Sequence, residues 1–397
     1  MGLTLLHLLV SGPGRMTEDR GMRTRSFLLA ALVAALLSSI AAVPAGAAGP
    51  GPPRTWGGNS FGELGDGTTT SRRSAGPVTG LSDATELAGG REHVIALRAD
   101  GSVWTWGSNQ YGQQGNGSTA NRPAPGPVAG LAGAIQVAAG HYHSLALLAD
   151  GTVRAWGMNS QSQLGDGSKT RRTRPVQVRN LTGVTQVAGA RGHSLAIRGD
   201  GSLWTWGYNA FGELGDGTTT TRSTPVRVPS LSGVTQVAGG RDHSLALRSD
   251  GTVWAFGHNT YGQLGDGTTS HRSTPVRVGS LTGVVAVAAG AYHSLALLGD
   301  GTVWAWGRNN LGQLGNGALA NRSSPVRVGS LTGVERISGG RDHGLAVLGD
   351  GTVRAWGANT YGQLGDGTTT RRTSPVTVPG LSGVETVTAG RAYSAAL

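Results

Sequence analysis

The sequence predicts an all-β fold, a seven-bladed β-propeller with four-stranded blades. The first observation is a 50-residue repeat that occurs seven times in register, each copy carrying an aromatic residue, a glycine and, two positions later, an asparagine. A unit of this length cannot bury its apolar face alone and must stack on its neighbours. The second observation is the composition. Of 397 residues, 69 are glycine and only 14% are charged, which favours short strands and turns. The aromatic positions, expected to be structural, are Trp56, Trp106, Trp156, Trp206, Phe256, Trp306 and Trp356.

Each repeat contains four predicted strands. In one copy, alternating apolar residues predict strands over 234–238, 243–247, 252–256 and 275–278. Asp250-Gly251 predicts a tight hairpin between the second and third strands, because a type I′ turn needs positive φ at both central positions. Pro275 suits an edge strand, since proline cannot donate to a neighbour. Four antiparallel strands joined by turns form one propeller blade.

Side-chain size predicts the order of strands within the blade. Blades converge on a central channel, so the slim segments 237–240 and 287–290, rich in alanine and glycine, suit the innermost strand. The large pair Trp304 and Trp306 lies further out and faces one side of its strand, where it can fill the gap between blades. Arg154 and Arg354 replace the first tryptophan of the pair in two copies, which predicts a half-buried position there.

The two ends of the repeat region predict how the ring closes. The chain stops at 393–397, the second strand of a blade, and the repeat region begins at 54–57, the third strand of a blade. Neither part is a blade alone, but together they complete the seventh. Pairing them removes two exposed sheet edges, which are a liability in open β structures.

The first 53 residues do not follow the repeat. Arg23 and Arg25, an apolar run over 27–37 and the small-residue site 45–47 follow the order of a secretory signal peptide, predicted over 22–48. Residues 1–21 are an upstream extension consistent with a mis-assigned start, 49–53 form a linker, and 54–397 are the propeller. We therefore expect a secreted protein, extracellular or associated with the cell envelope, with no transmembrane segment in the mature chain. A retained membrane anchor is the alternative.

Composition limits the chemistry. The chain has no cysteine, so disulfides and thiolate sites are excluded. The net charge of +11 favours anionic partners, such as an acidic protein or an envelope polymer, and arginine-rich codon usage is the alternative cause. Arginines are spread over every repeat rather than clustered, which argues against specific nucleic-acid binding. We expect a monomer.

The repeated string resembles the repeat of the regulator of chromosome condensation (RCC1-like) family. His-Ser-Leu-Ala-Leu, Asp-Gly-Thr-Val, Trp-Gly, Asn and Gln-Leu-Gly follow one another over 143–165 and 293–315, and the resemblance covers 54–397. It implies a seven-bladed propeller. The eukaryotic founding member of the family is a guanine-nucleotide exchange factor for a small GTPase, so the resemblance implies this activity as one possibility. In the founding member the activity relies on an irregular insertion and a basic tail. The blades of this chain are uniform.

The resemblance also extends to secreted bacterial propellers that inhibit β-lactamases. It implies target binding through aromatic residues in the loops just before the His-Ser-Leu-Ala-Leu strand. In this chain Tyr142 and Tyr292 are the aromatic residues at the corresponding positions. Exchange-factor activity, inhibition of a secreted enzyme and binding of a cell-wall polymer are therefore three alternatives to the function proposed from the residues themselves.

The recurring histidines are interpreted as structural. Equivalent positions on separate blades cannot bring ligand nitrogens within the roughly 2.1 Å of one metal ion that coordination requires. We expect each histidine to hydrogen-bond the glycine-rich inner turn, with Tyr393 doing likewise in the seventh copy. The histidines are His93, His143, His193, His243, His293 and His343.

The Asp-Gly pairs of the long loops are interpreted as side-chain-capped turns. No second carboxylate follows at the spacing of a calcium loop, and Asn116 and Asn316 replace the acid in two copies. A recurring arginine predicts an inter-blade ion pair or a bond to loop carbonyls; it is Arg72, Arg122, Arg172, Arg222, Arg272, Arg322 and Arg372. No catalytic order of side chains stands out, so we expect no enzyme activity, no cofactor and no metal.

The turns before the second strand are the predicted binding surface. They lie on the same face as the long loops after Trp-Gly, and this face differs most between copies, whereas the Asp-Gly hairpins are nearly identical. We therefore expect a non-catalytic protein-binding scaffold whose partner is acidic. The candidate binding residues are Arg91, His141, Tyr142, Arg191, Arg241, Tyr292, Arg341 and Arg391.

Overall fold

The described residues form a closed ring of seven antiparallel sheets, each of four strands. The computed structural model describes residues 52–397, which contain strands β1 to β28. The predicted fold class is confirmed. The expectations for the upstream extension, the signal peptide and most of the linker lie outside the described residues. Among residues 52–397, no helix has the length and apolar character needed to cross a membrane.

Each blade runs from an inner strand at the channel to a second strand beside it. The inner strands are β3 (Ala84–Gly89), β7 (Ala134–Ala139), β11 (Val184–Gly189), β15 (Val234–Gly239), β19 (Val284–Ala289), β23 (Val334–Gly339) and β27 (Val387–Ala389). The second strands are β4 (His93–Arg98), β8 (His143–Leu148), β12 (His193–Arg198), β16 (His243–Arg248), β20 (His293–Leu298), β24 (His343–Leu348) and β28 (Tyr393–Ala396). The slim inner strand predicted from residue size is confirmed.

The third strands carry the tryptophans and the fourth strands form the outer edge. The third strands are β1 (Arg54–Gly57), β5 (Val103–Gly107), β9 (Val153–Gly157), β13 (Leu203–Gly207), β17 (Val253–Gly257), β21 (Val303–Gly307) and β25 (Val353–Gly357). The outer strands are β2 (Arg72–Pro77), β6 (Arg122–Pro127), β10 (Arg172–Gln177), β14 (Arg222–Arg227), β18 (Arg272–Arg277), β22 (Arg322–Arg327) and β26 (Arg372–Thr377). Blades 1 to 6 are numbered from β3–β6 to β23–β26.

Blade 7 is assembled from the two ends of the repeat region. Its strand order is β2-β1-β28-β27, so β1 and β28 pair at its centre. The pairing is antiparallel, with Arg54 opposite Ala396 and Gly57 opposite Tyr393. The closure predicted from the register of the two termini is confirmed.

The hydrophobic core lies between neighbouring blades. Trp206 of blade 3 packs with Leu145 and Leu164 of blade 2 and is fully buried. Its indole N–H donates to the carbonyl oxygen of Gln163, also in blade 2, at 2.9 Å. Trp204 is half-buried and packs against the same cluster, as predicted for the first tryptophan of the pair. Each blade therefore completes the core of its neighbour.

Six of the seven recurring arginines contact a partner within their own blade, so of the two alternatives predicted for them the inter-blade ion pair is wrong. Arg172 contacts Asp166 of the same loop at 2.8 Å, and Arg222, Arg272 and Arg372 repeat this geometry. Arg122, whose loop carries Asn116, instead donates to the carbonyl oxygen of Thr105 at 2.8 Å. The loop acid and the outer strand are close in sequence, so the arginine finds a partner without leaving its blade.

The loop acids cap their turns as predicted. Asp166 accepts hydrogen bonds from the backbone and the hydroxyl of Ser168 and from Asn159. These bonds and the neighbouring Arg172 hold the pKa of Asp166 below its usual value against the opposing effect of burial. The following glycine then reaches the next blade, where Gly167 N–H donates to the carbonyl oxygen of Ser223 at 3.0 Å.

Five of the six histidines bond to a serine of the next blade, and Nε2 of the sixth, His293, has no partner among the described residues, so the predicted bond to the glycine-rich turn is wrong for the histidines. His143 Nε2 lies 2.9 Å from Ser194 Oγ, and Ser194 Oγ donates to the carbonyl oxygen of Gln163. The serine hydroxyl therefore accepts from the Nε2–H of a neutral imidazole. Tyr393 does contact the glycine-rich turn, since its hydroxyl lies 3.0 Å from the carbonyl oxygen of Gly90.

Candidate functional site

The loop face of the propeller is formed by the inner turns and the long loops. The inner turns are the residues between the first and second strands of each blade, such as 90–92, and the long loops follow the third strands, such as 108–121. Backbone bonds join the two: Ser108 N–H donates to the carbonyl oxygen of Glu92 at 2.7 Å, and Met158 N–H to that of Tyr142 at 2.9 Å. The two sets of loops thus form one surface around the channel.

A ring of backbone hydrogen bonds connects all seven inner turns. Arg91 N–H donates to the carbonyl oxygen of His141 at 3.2 Å, and an equivalent bond leads from each blade to the next. The ring closes where Arg391 N–H donates to the carbonyl oxygen of Arg91 at 3.0 Å. Because each turn is hydrogen-bonded to its neighbours, the backbone that carries the side chains of the turns is fixed.

Seven of the eight predicted binding residues lie at the mouth of the central channel. They line a cavity of about 500 Å³ whose wall is otherwise mainly glycine and alanine of the inner strands. The eighth, Tyr292, belongs to an inner turn but does not line this cavity, and its ring packs against Tyr261 of a long loop. The residues at the mouth are Arg91, His141, Tyr142, Arg191, Arg241, Arg341 and Arg391.

Most of the mouth arginines reach to the next blade. Arg191 pairs with Asp242 at 3.0 Å, and Arg391 pairs with Glu92 at 2.7 Å. Arg91 donates to the hydroxyl of Tyr142 and lies over its ring. Part of the predicted positive charge is therefore balanced by carboxylates of the inner turns.

Arg341 differs from the other mouth arginines. The next turn carries Ala392 at the position where Arg191 and Arg391 find a carboxylate. Arg341 contacts the carboxylate of its own neighbour Asp342 at 3.2 Å, and its side chain is 42% exposed. It therefore presents unused N–H donors at the channel mouth.

His141 is uncharged at neutral pH. Burial, followed by the nearby charges of Arg91, Arg191 and Arg241, lowers the pKa of His141 well below its usual value. The imidazole therefore contributes a hydrogen-bond donor and acceptor to the mouth rather than a charge.

An aromatic cluster spans the loop face of blades 3, 4 and 5. Phe211 contacts His258 edge-to-face, with centroids 4.9 Å apart, and His258 stacks on His271 at 4.7 Å. Tyr261 packs against Tyr292 at 5.1 Å. The members of this aromatic cluster are Tyr208, Phe211, His258, Tyr261, His271 and Tyr292.

Two arginines border the aromatic cluster. Arg241 lies over the ring of Tyr292 at 5.1 Å, and Arg308 lies over Tyr261 at 5.4 Å and Tyr292 at 5.8 Å. Such cation–π contacts hold a guanidinium above an aromatic face while leaving its N–H groups free to donate. The cluster therefore combines apolar area with positive charge.

Of the aromatic cluster, only Tyr292 is among the binding residues predicted from the sequence, together with Arg241, which borders the cluster. The residue directly after Trp-Gly carries the missing signal, because it changes in every copy. In order it is Gly58, Ser108, Met158, Tyr208, His258, Arg308 and Ala358. The three bulky members of this series after Met158 stand in consecutive repeats, which places them on adjacent blades.

A smaller cavity of about 200 Å³ lies beside the cluster, between blades 2 and 3. Tyr142, Met158, Gln161 and Tyr208 are among the residues that line it. The loop face is therefore concave at this point, with aromatic rings on both sides. Among residues 52–397, no group of three or more histidine or acidic side chains is close enough to hold a metal ion.

Family models match most of the repeat region. The model described as the RCC1-like domain matches residues 180–397. The model described as the regulator of chromosome condensation (RCC1) repeat matches 100–147 and 150–197, and a second model of that description matches 84–113 and 134–163. No curated protein sequence matches the chain significantly.

Solved structures share the fold. Prp20p from Saccharomyces cerevisiae, studied for its binding to Gsp1p and histones, has a TM-score of 0.77 at 22% identity, over 88% of this chain and 91% of that protein. Yeast RCC1 (Prp20) bound to Kap60 has a TM-score of 0.79 at 20% identity, over 98% and 96%. Human WBSCR16 has a TM-score of 0.74 at 26% identity, over 87% and 98%.

Proposed function

We propose that this chain, which belongs to the family of RCC1-like domains, is a secreted, non-catalytic scaffold that binds another protein through its loop face. The observation that carries the proposal is the aromatic cluster. Most of the molecule is close to sevenfold symmetric, and this cluster breaks that symmetry over three adjacent blades. A single protein partner requires such a local departure from a repeated frame.

The composition of the cluster suits a protein interface. Tyrosine and arginine are enriched among the residues that dominate binding energy, and large rings contribute contact area at a low entropic cost. Phe211, Tyr261 and Tyr292 are half-buried. Phe211 already packs against His258, and Tyr261 against Tyr292, so little side-chain freedom is lost when a partner covers them.

The charge of the face favours a partner with an acidic patch. Arg241 and Arg308 border the cluster, and Arg191 and Arg341 present half-exposed guanidiniums at the adjacent channel mouth. Complementary charge raises the association rate and selects the partner. Protein binding is also the property named for Prp20p, which shares the fold. Secretion is supported by the charge and hydropathy pattern over 22–48.

The test compares two tyrosines at the same repeat position. Protein purified from culture medium, with a mature N-terminus near Ala48 or Gly49 by mass spectrometry, is used as bait for secreted and envelope proteins. Tyr261→Ala should weaken partner binding by tenfold or more, because a central aromatic anchor contributes about 2 kcal/mol or more. Tyr361→Ala is the control, since Tyr361 is 50% exposed and lies outside the cluster.

Arg241→Glu tests the contribution of charge in the same experiment. This variant should weaken partner binding more at low salt concentration than at high salt concentration. A captured partner that binds both Tyr261→Ala and Arg241→Glu as tightly as the unmodified protein would exclude the aromatic cluster as the binding site. Intact residues 22–48 in a cytosolic fraction would contradict secretion without affecting the interface.

A further inference from the structure

We propose that the mouth of the central channel is a binding site for a small multivalent oxyanion, a ligand whose charge is carried by phosphate or carboxylate oxygens. This inference goes beyond the proposed function, because the ligand enters the channel instead of covering the aromatic cluster. The site is the cavity of about 500 Å³ that the inner turns surround.

The cavity has the size of a small-molecule site and a wall with little side-chain chemistry of its own. Ligand cavities commonly measure about 300 to 1,000 Å³. The inner strands contribute Gly89, Ala139, Gly239 and their equivalents, so the wall is mostly backbone and methyl groups. Ser338 and Thr388 add hydroxyls. The guanidiniums at the mouth therefore dominate the polar chemistry that a ligand meets.

Five arginines face this cavity, whereas the acids that accompany them do not. Arg91, Arg191, Arg241, Arg341 and Arg391 all line it. Glu92, Asp242 and Asp342 belong to the inner turns but do not line the cavity, and they are 7%, 4% and 8% exposed. Five guanidiniums against three buried carboxylates leave an excess of positive charge at the mouth. The carboxylates also hold the guanidiniums in place.

Each guanidinium keeps donors for a ligand. A guanidinium carries five N–H donors, and the pair between Arg191 and Asp242 is made through Nη1 of the arginine. Arg341 has no partner on the following turn and contacts Asp342 through Nε. The planar N–H fork matches two oxygens of a carboxylate or a phosphate. Arginines on separate blades can therefore bind separate oxygens of one ligand.

The mouth is preorganised for such a ligand. The ring of seven backbone hydrogen bonds fixes the turns, so the arginines do not have to be gathered when the ligand arrives. A ligand with several anionic groups engages two or more guanidiniums at once, while a monovalent ion such as chloride engages few. Preorganisation and several charged contacts together favour a multivalent oxyanion.

Calorimetric titration tests the proposal. The protein is residues 49–397, which contain the whole propeller, and pyrophosphate and citrate are titrated separately into it in chloride buffer. We expect saturable binding of one ligand per chain, and the tighter probe identifies a phosphate or a carboxylate ligand. Arg341→Gln should weaken binding about tenfold or more, as expected for the loss of a hydrogen bond from a charged donor. Ser338→Glu keeps every arginine but places a carboxylate inside the cavity, and should abolish binding.

Arg371→Gln is the matched control, because Arg371 lies on a long loop away from the cavity and bonds to the carbonyl oxygen of Asn310. Its affinity for both probes should equal that of the unmodified protein. No saturable binding of either probe would overturn the proposal, as would equal affinities for folded Arg341→Gln or Ser338→Glu and the unmodified protein. Partner binding through Tyr261 is scored separately, so failure here leaves the proposed function standing.

Discussion

At the scale of single residues, a ring of hydrogen bonds joins the second strands of neighbouring blades. In this ring a substitution in one blade is matched by a substitution in the blade that contacts it. His143 and His243 donate to Ser194 and Ser294 of the following blade, at an offset of 51 residues. Blade 1 carries Val94 in place of the serine, and the residue that would face it is Tyr393 instead of histidine. The longer phenol passes the valine and bonds to the carbonyl oxygens of Gly90 and His93. The seventh copy is therefore adapted to its neighbour.

A second change in this ring has no such compensation. Gly344 replaces the serine that would accept from His293, and Nε2 of His293 is left without a side-chain partner. Burial lowers the pKa of His293 to about 4 and that of His243 to about 3, so both rings are neutral at pH 7. A neutral imidazole can stay buried here where a charged one could not.

Two buried glutamates stand where five other repeats have glutamine. Glu213 accepts from the backbone N–H of Phe211 at 2.8 Å, as Gln313 does from Leu311 at 2.7 Å. The other oxygen of Glu213 is buried without a partner in the described structure. Burial raises the pKa of Glu213 to about 8, and nearby Asp242 adds to this effect. The side chain is therefore largely protonated at pH 7.

Glu213→Gln should stabilise the protein more as the pH rises. Between about pH 4.5 and 8 the folded state keeps the Glu213 proton that the unfolded state loses, so this residue lowers the free energy of unfolding as the pH increases through that window. Glutamine retains the bond to Phe211 and does not ionise. The stability gained over the unmodified protein should grow by up to about 1.4 kcal/mol per pH unit.

Chemical denaturation at pH 5, 6, 7 and 8 measures this difference. Glu335→Gln is the control, because Glu335 lies on the exposed side of an inner strand and its variant should show no such trend. A gain from Glu213→Gln that is the same at pH 5 and pH 8 would show that Glu213 is not protonated in the folded state.

At the scale of elements, the long loops join each blade to the next. Asn159 holds its loop by donating to Asp166 and to the carbonyl oxygens of Ser168 and Thr170. The same arrangement recurs in the other blades, and in six of the seven it brings a glycine such as Gly262 against the outer strand of the following blade. In blade 2 the equivalent residue is Ser162, with φ +61°. The loop therefore supports both the binding face and the contact between blades.

Gly262→Ala should destabilise the protein strongly because of this close approach. Gly262 has φ +80°, and a Cβ placed there would lie 2.4 Å from Cα of Ser323 in the next blade. The backbone conformation alone costs about 1 to 2 kcal/mol for alanine, and the overlap adds roughly 1 to 3 kcal/mol. Urea denaturation gives the free energy of unfolding directly.

Gly283→Ala separates the two contributions. Gly283 has φ +68°, and a Cβ there would meet nothing within 4 Å. This variant should lose stability through its backbone alone. If both variants lose the same stability, the contact between blades at Gly262 is not tight.

At the scale of the whole molecule, closure of the ring depends on a few residues at its two ends. β28 supplies Tyr393, Ala395 and Ala396, all fully or almost fully buried. It pairs with β1 on one side and β27 on the other, so it is the strand that connects the two halves of blade 7.

Deleting 393–397 should therefore lower the free energy of unfolding by more than about 5 kcal/mol, well above the effect of a typical single substitution. The deletion exposes both edges of an open blade and removes the core contacts of Tyr393 with Val94 and Trp106. Thermal unfolding of the truncated protein measures the loss. Deleting 1–48, which leaves β1 in place, is the control and should keep the melting temperature. An equally stable protein without 393–397 would contradict closure through β28.

The sequence alone predicts the blades, their number and the closure of the ring, because the pattern of buried residues is complete within each repeat. Trp206 recurs with its period, and the alternation in 243–247 marks a strand without reference to any other copy. It also places Arg191 and Arg341 on one face, since strand direction follows from the turns. It does not predict that Arg191 finds Asp242 while Arg341 faces Ala392, because that depends on which turns are neighbours.

What the tertiary structure alone decides is how differences between repeats combine. Phe211, His258 and Tyr292 stand in three separate copies, and each is unremarkable within its own copy. They form one cluster because adjacent blades pack loop against loop. The propeller fold is determined by a local pattern of buried residues that occurs seven times, so it can be inferred from a single sequence. The site is set by contacts between side chains far apart in sequence, and only the packing of blades brings those together.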